Sequence, residues 1–196
     1  MNYLAHLHLA GPEPDAQLGG LYGDFVKGPL RGAWPAPIER GIRLHRRIDA
    51  FTDTHSLVLH ARSRFPGARR RYAGILIDLF FDHCLARDWA EYADEPLGTF
   101  TSRMYRLLLA QPALPGKLAD IAPRMARHDW LGSYRDFKVL EQVLANMSRR
   151  LSRPEALIAG MADLERLYLP LSEDFRQFYP ALMSHAREVE SSASSA

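Results

Sequence analysis

Along most of the chain apolar residues return every three or four positions, the helical period, and strand-like alternation is nearly absent. Prolines and glycines cut this pattern into blocks. The first spans about 16 to 27 and ends at Gly28-Pro29. The turn "GAWPAP" follows and sets Pro37 near the first turn of a long helix, where its missing N–H is harmless. That helix is predicted from Ile38 to Arg64, stopping before Pro66-Gly67, and the next from Arg69 to Tyr92. Further helices are predicted over Leu97 to Ala110, Pro115 to Arg127, Tyr134 to Leu151, Pro154 to Tyr168 and Ser172 to Glu188. The N-terminal "MNYLAHLHLA" places His6 and His8 at period two among apolar residues, which reads as a short strand or an extended lead-in with one histidine turned inward. The closing "SSASSA" is too small and polar to pack. The pattern therefore predicts one compact all-α domain over residues 1–190 and a frayed tail at 191–196.

Polar residues that interrupt apolar faces mark the candidate chemistry. "IDLFFDHCLARDW" carries Asp78, Asp82 and His83 inside a stretch that otherwise demands a dry core, and a buried carboxylate needs a partner. On the preceding helix His45 and Asp49 stand four apart, one above the other, and Asp53 continues the row. Two antiparallel helices that each present such a pair would converge four ligands, as bundle-core metal sites do. Arginine pairing is the competing account of the Asp78–Asp82 row, with Arg46, Arg47 and Arg87 near in sequence. His83 is read two ways, as a ligand or acid/base beside the metal and as a satisfied core histidine, because consecutive helix positions point about 100° apart. Asp24, in "GGLYGDFVKG" beside flexible glycines, is read as completing a metal shell or as a helix-end charge.

A His/Asp donor set without thiolate suits Mn²⁺ or Mg²⁺, with Fe²⁺ and Zn²⁺ also accommodated. Such an ion polarises phosphoryl oxygens, so these residues alone point to a metal-dependent phosphoesterase. Cys84 beside His83 is read as core packing, since helix neighbours diverge. The literal doublet His128-Asp129 lacks a partner four residues earlier, where Arg124 stands, and is read as a helix-end feature. There is neither a Walker-type loop nor a dinucleotide fingerprint.

Composition changes this picture in two respects. A chain of 196 residues can bury a full core unaided, and its single cysteine fits a reducing compartment. No apolar run approaches the roughly 20 residues that span a bilayer, and no signal peptide is legible, so a cytoplasmic protein is expected. Net charge is only +2, yet from Lys27 to Arg71 eleven basic residues face three acidic ones, a local +8. That segment is read as steering an anionic partner, with a solvated helix face as its plain alternative. Lys27, Arg43, Arg46 and Arg47 are the candidates to grip phosphate oxygens.

Taken in order, "MNYLAHLHLA", "GDFVKG", "HRRIDAFTD" and "FFDHCLARDW", with "RQFYPALM" near the end, closely resemble the acyl carrier protein phosphodiesterases. That family is a divergent relative of the all-helical, metal-dependent HD-domain phosphohydrolases. The resemblance implies a distorted HD-like fold, Mn²⁺ as cofactor, and hydrolysis of 4′-phosphopantetheine from the serine of holo acyl carrier protein. It implies an acidic protein substrate for the basic segment, and neither nucleic acid nor membrane as partner. Against the HD pattern His45 matches the first histidine, the doublet is reversed as Asp82-His83, and Asp24 stands for the distant aspartate. The implied ligands are Asp24, His45 and Asp82, then Asp49 and His83, with His6 and Asp78 as alternates. Two rival readings are a nucleotide or alarmone phosphohydrolase and a non-enzymatic helical module for acidic proteins.

Overall fold

The computed structural model describes residues 1–149 and 154–194, and among them every regular element is a helix. In chain order these are α1 (Tyr3–Leu9), α2 (Pro14–Tyr22), α3 (Ala36–Thr54), α4 (Ser56–Ser63), α5 (Gly67–Arg70), α6 (Ala73–Arg87), α7 (Leu97–Leu109), α8 (Leu118–Arg127), α9 (Trp130–Ser133), α10 (Val139–Ser148), α11 (Pro154–Ile158), α12 (Gly160–Arg166) and α13 (Tyr168–Ser194). A 3₁₀ turn, Trp89–Glu91, follows α6. The all-α class is as the hydrophobic period predicts.

Several boundaries differ for local physical reasons. "MNYLAHLHLA" is the helix α1 rather than a strand or extended lead-in; two residues at period two are too few to distinguish the periods. The single helix predicted from Ile38 to Arg64 breaks at His55, whose backbone is extended (φ −70°, ψ 133°) and whose Nδ1 accepts from Leu57 N at 3.3 Å to cap α4. The polar run Asp53-Thr54-His55-Ser56 offers backbone partners that compete with helix continuation. The block from Pro154 to Tyr168 divides into α11 and α12 at Gly160, where a Cβ would crowd the Leu76 side chain. Helix α13 continues through Ser194; Ser195 and Ala196, like positions 150 and 151 of the predicted Tyr134 to Leu151 helix, lie outside the described residues.

Helix α6 forms the spine of the core, with Leu76, Ile77, Phe80 and Phe81 fully buried and Phe81 packed against Phe175 and Phe178 of α13. Helix α13 also packs on α3 and α4, and α1 sits against both α2 and α6. No helix is long and apolar enough to cross a membrane among the described residues.

Candidate metal centre

The site begins with glycines. A Cβ on Gly19 would overlap Ile38 O, and one on Gly41 would overlap Ala16 O, so α2 and α3 cross at backbone contact. On Gly20 it would come within 2.8 Å of His6 O, and on Gly23 it would overlap the His45 imidazole. The glycines of "GGLYG" therefore serve close packing, not flexibility: they let α1, α2 and α3 meet, and that meeting carries His6, Asp24, His45 and Asp49 to one place.

The His6 and His45 rings stack with centroids 3.7 Å apart. His45 Nδ1 lies 2.8 Å from Gly20 O, an acceptor, so Nδ1 bears the hydrogen and Nε2 presents its lone pair. That Nε2 faces Asp49 Oδ2 at 3.2 Å, and His6 Nε2 faces Asp49 Oδ1 at 3.2 Å. A lone pair and a carboxylate oxygen this close repel unless a cation, proton or metal, lies between them. A proton suits His6 poorly, because burial drives its pKa down to about 3 despite Asp49. One donor atom from each of His6, His45 and Asp49 lies within 4.8 Å of the others, a span that a single ion can bridge. Asp24 Oδ2 is buried and unpartnered, and both nitrogens of His6 are buried without a hydrogen bond. Burial raises the Asp24 carboxyl, while His45 and Lys27 draw it back down. Burial would also raise Asp49, but the neighbouring His45, His6 and Met1 ammonium prevail and hold it well below the usual range. The centre reaches solvent at Asp49, whose side chain is 45% exposed. The donor chemistry thus fits a divalent cation at His6, His45 and Asp49, with Asp24 beside them.

Other candidates go elsewhere. Two facing helices with four ligands do not form, because α1 intervenes between α3 and α6. Asp82 accepts from Leu4 N at 2.8 Å and Ala5 N at 3.2 Å, so both its oxygens cap α1. Burial pushes its carboxyl up to about 7 against the pull of these bonds. Asp78 meets the Met1 ammonium at 3.1 Å, which is also 3.7 Å from Asp49. His83 is the satisfied core histidine: Nδ1 lies 2.8 Å from Tyr134 O and Nε2 2.9 Å from the Tyr168 hydroxyl. His8 likewise bonds the Tyr179 hydroxyl and Tyr92 O.

Arg46 gives its Nη2 to Val26 O (3.1 Å) and Gly28 O (2.8 Å), strapping the segment after Asp24 onto α3 rather than reaching into the centre. Arg43 and Arg47, each two positions from His45, project about 160° away from it. They line a groove with His185 and Glu188 instead. Of the four expected grips, Lys27 acts on a site carboxylate, drawing Asp24 down. Asp53 pairs with Arg62 at 2.6 Å. Cys84 is buried, its thiol pushed up to about 12, as core packing requires. Asp129 caps α9, accepting from Gly132 N at 3.2 Å, which makes the literal doublet the helix-end feature its spacing suggested.

Fold and site together define an all-α protein with a His–His–Asp cluster of metal-ligand character, its two imidazoles buried and its carboxylate open to solvent. The family model described as "Acyl carrier protein phosphodiesterase" matches residues 1–182. Proteins of that name from Photorhabdus laumondii and Yersinia enterocolitica are 38% and 37% identical, over 97% of this chain and 97% and 100% of their own. One from Escherichia coli is 37% identical over 95% of this chain and 97% of its own. No solved structure matches. The chain belongs to the acyl carrier protein phosphodiesterase family.

Proposed function

We propose that the chain is a divalent-metal-dependent phosphodiesterase that hydrolyses the bond between 4′-phosphopantetheine and the serine of holo acyl carrier protein, acting in the cytoplasm. The relatives' name supplies the substrate protein and reaction class. The observation that carries the metal dependence is the convergence of His6, His45 and Asp49 on one point beside the unpartnered Asp24 Oδ2. His6, His45, Asp49 and Asp24 would hold the ion; two imidazoles and two carboxylates without thiolate favour Mn²⁺, with Mg²⁺, Fe²⁺ and Zn²⁺ as weaker fits. When bound, such a cation withdraws charge from a phosphoryl oxygen and acidifies water beside it.

The chain's own residues do the rest. Gly20 O fixes the His45 tautomer and ring orientation. Asp82, as the cap of α1, is a positioning residue for His6. The exposed edge at Asp49 gives the phosphodiester its entry, and Lys27 adds positive charge near Asp24. The test is the mass of holo acyl carrier protein after incubation with the protein. Loss of one phosphopantetheine with Mn²⁺ and not with excess chelator supports the reading; an unchanged mass with every divalent metal refutes it.

A further inference from the structure

A groove of about 520 Å³ opens between α8 and α10, and none of the residues lining it belongs to α1, α2 or α3. Its size falls within the roughly 300–1,000 Å³ of small-molecule sites. Helix α8 and its C-terminal cap present Ile121, Arg124 and His128, spaced three and four apart and so on one face. Helix α10 presents Val139, Gln142 and Asn146 at the same spacing, with Arg149 three residues on. Trp130 and Ser133 of α9 join the two stripes.

The charge along this lining has one sign. Arg124, Arg149 and the ionisable His128 line it, and no carboxylate does. The acids of the connecting segment turn to backbone instead: Asp129, in the left-handed region at φ 42°, accepts from Gly132 N, and Asp136 accepts from Lys138 N at 3.0 Å. The side chains of Arg124, His128 and Arg149 are exposed and have no ion-pair partner among the described residues. Unpaired guanidinium groups on opposite walls match the oxygens of a multiply charged phosphate. The indole of Trp130, with Ile121 and Val139, offers a flat apolar surface. Gln142 and Asn146 add amide donors and acceptors suited to ring heteroatoms.

We propose that this groove binds an organic phosphate with a flat heteroaromatic body, of the nucleotide class, independently of the metal centre. Arg124 and Arg149 take the phosphates and Trp130 stacks on the ring. The experiment is calorimetric titration of the full chain with ADP, and with adenosine and pyrophosphate as its two halves. One saturable site below about 1 mM is expected for ADP, with both halves weaker. Arg124→Ser and Arg149→Ser should each weaken ADP by roughly tenfold or more, and Asp49→Asn by no more than about twofold. Because both arginines are exposed, unchanged thermal midpoints separate lost binding from unfolding. Absence of saturable ADP binding overturns the proposal. So does loss with Asp49→Asn but not with Arg124→Ser, or pyrophosphate binding as tightly as ADP, which marks an adventitious anion site.

Discussion

The His45 imidazole sits against Gly23 so closely that a single methyl group there has nowhere to go. Gly23→Ala should lower stability by about 1–3 kcal/mol and weaken Mn²⁺ binding, since the ring must tilt off Gly20 O. Calorimetric metal titration beside thermal melting checks both. His45 and Asp49 were legible in the sequence because i,i+4 spacing on a helix fixes which side chains share a face. Asp24 was legible as a carboxylate among glycines, though the glycines serve packing. His6 was only an alternate, since a heptapeptide helix read as alternation hides the face it shares. For Asp82, spacing shows that a buried carboxylate needs partners, never that the partners it finds are backbone N–H groups of a distant helix. Asp82→Ala should leave the Leu4 and Ala5 N–H groups unsatisfied and cost about 2–4 kcal/mol in chemical denaturation, with metal affinity falling through His6.

Between elements, the α2–α3 crossing and the Arg69–Asp163 tie make separate predictions. Gly41→Ala drives a Cβ into Ala16 O and must part the two helices; a loss of about 1–3 kcal/mol or more is expected, with metal affinity falling because His45 and Asp49 ride on α3 while Asp24 follows directly after α2. Asp163 of α12 pairs with Arg69 of α5 and Arg166. Burial would raise its carboxyl, but the two guanidinium groups prevail and hold it below the ordinary value. A folded-state pKa below the unfolded one, about 3.9, means stability that is present above that pH and lost as pH falls through the folded pKa. Asp163→Asn should therefore narrow the gap to wild type below about pH 4, measured as denaturation midpoint against pH. At this scale the helical class and most blocks were legible from the period, whereas the break at His55 and the division at Gly160 were not. The first depends on capping that competes with helix continuation, the second on the approach of Leu76 from α6.

For the whole molecule, the +8 segment is less free than its composition implies. Arg43, Arg46, Arg62, Arg64, Arg69 and Arg70 are held by Glu39, by the carbonyls of Val26 and Gly28, by Asp53, Asp174 and Asp163, and by Ser63 O. Lys27, Arg31, Arg40, Arg47 and Arg71 remain exposed without an ion-pair partner among the described residues, Arg71 lying over the Tyr72 ring. If the carrier protein is steered by these, Arg31→Glu with Arg40→Glu should raise KM for holo carrier protein several-fold at low salt and leave turnover of a small phosphodiester unchanged. Equal losses on both substrates would assign the pair to the metal centre instead. Because the proposed ligands come from α1, α3 and the segment after α2, an ion bound there would also tie these parts together. Saturating Mn²⁺ at about 100 times its Kd should stabilise the fold by about 2.7 kcal/mol.

Whether His6, His45 and Asp49 hold a divalent cation, as proposed, is read by Mn²⁺ titration followed by electron paramagnetic resonance. One saturable site is expected in the wild-type protein, which His6→Ala and Asp49→Ala each weaken by about 100-fold or more while circular dichroism shows the helices retained. Tight binding that survives both substitutions, or that is absent from the wild-type protein, would contradict that proposal.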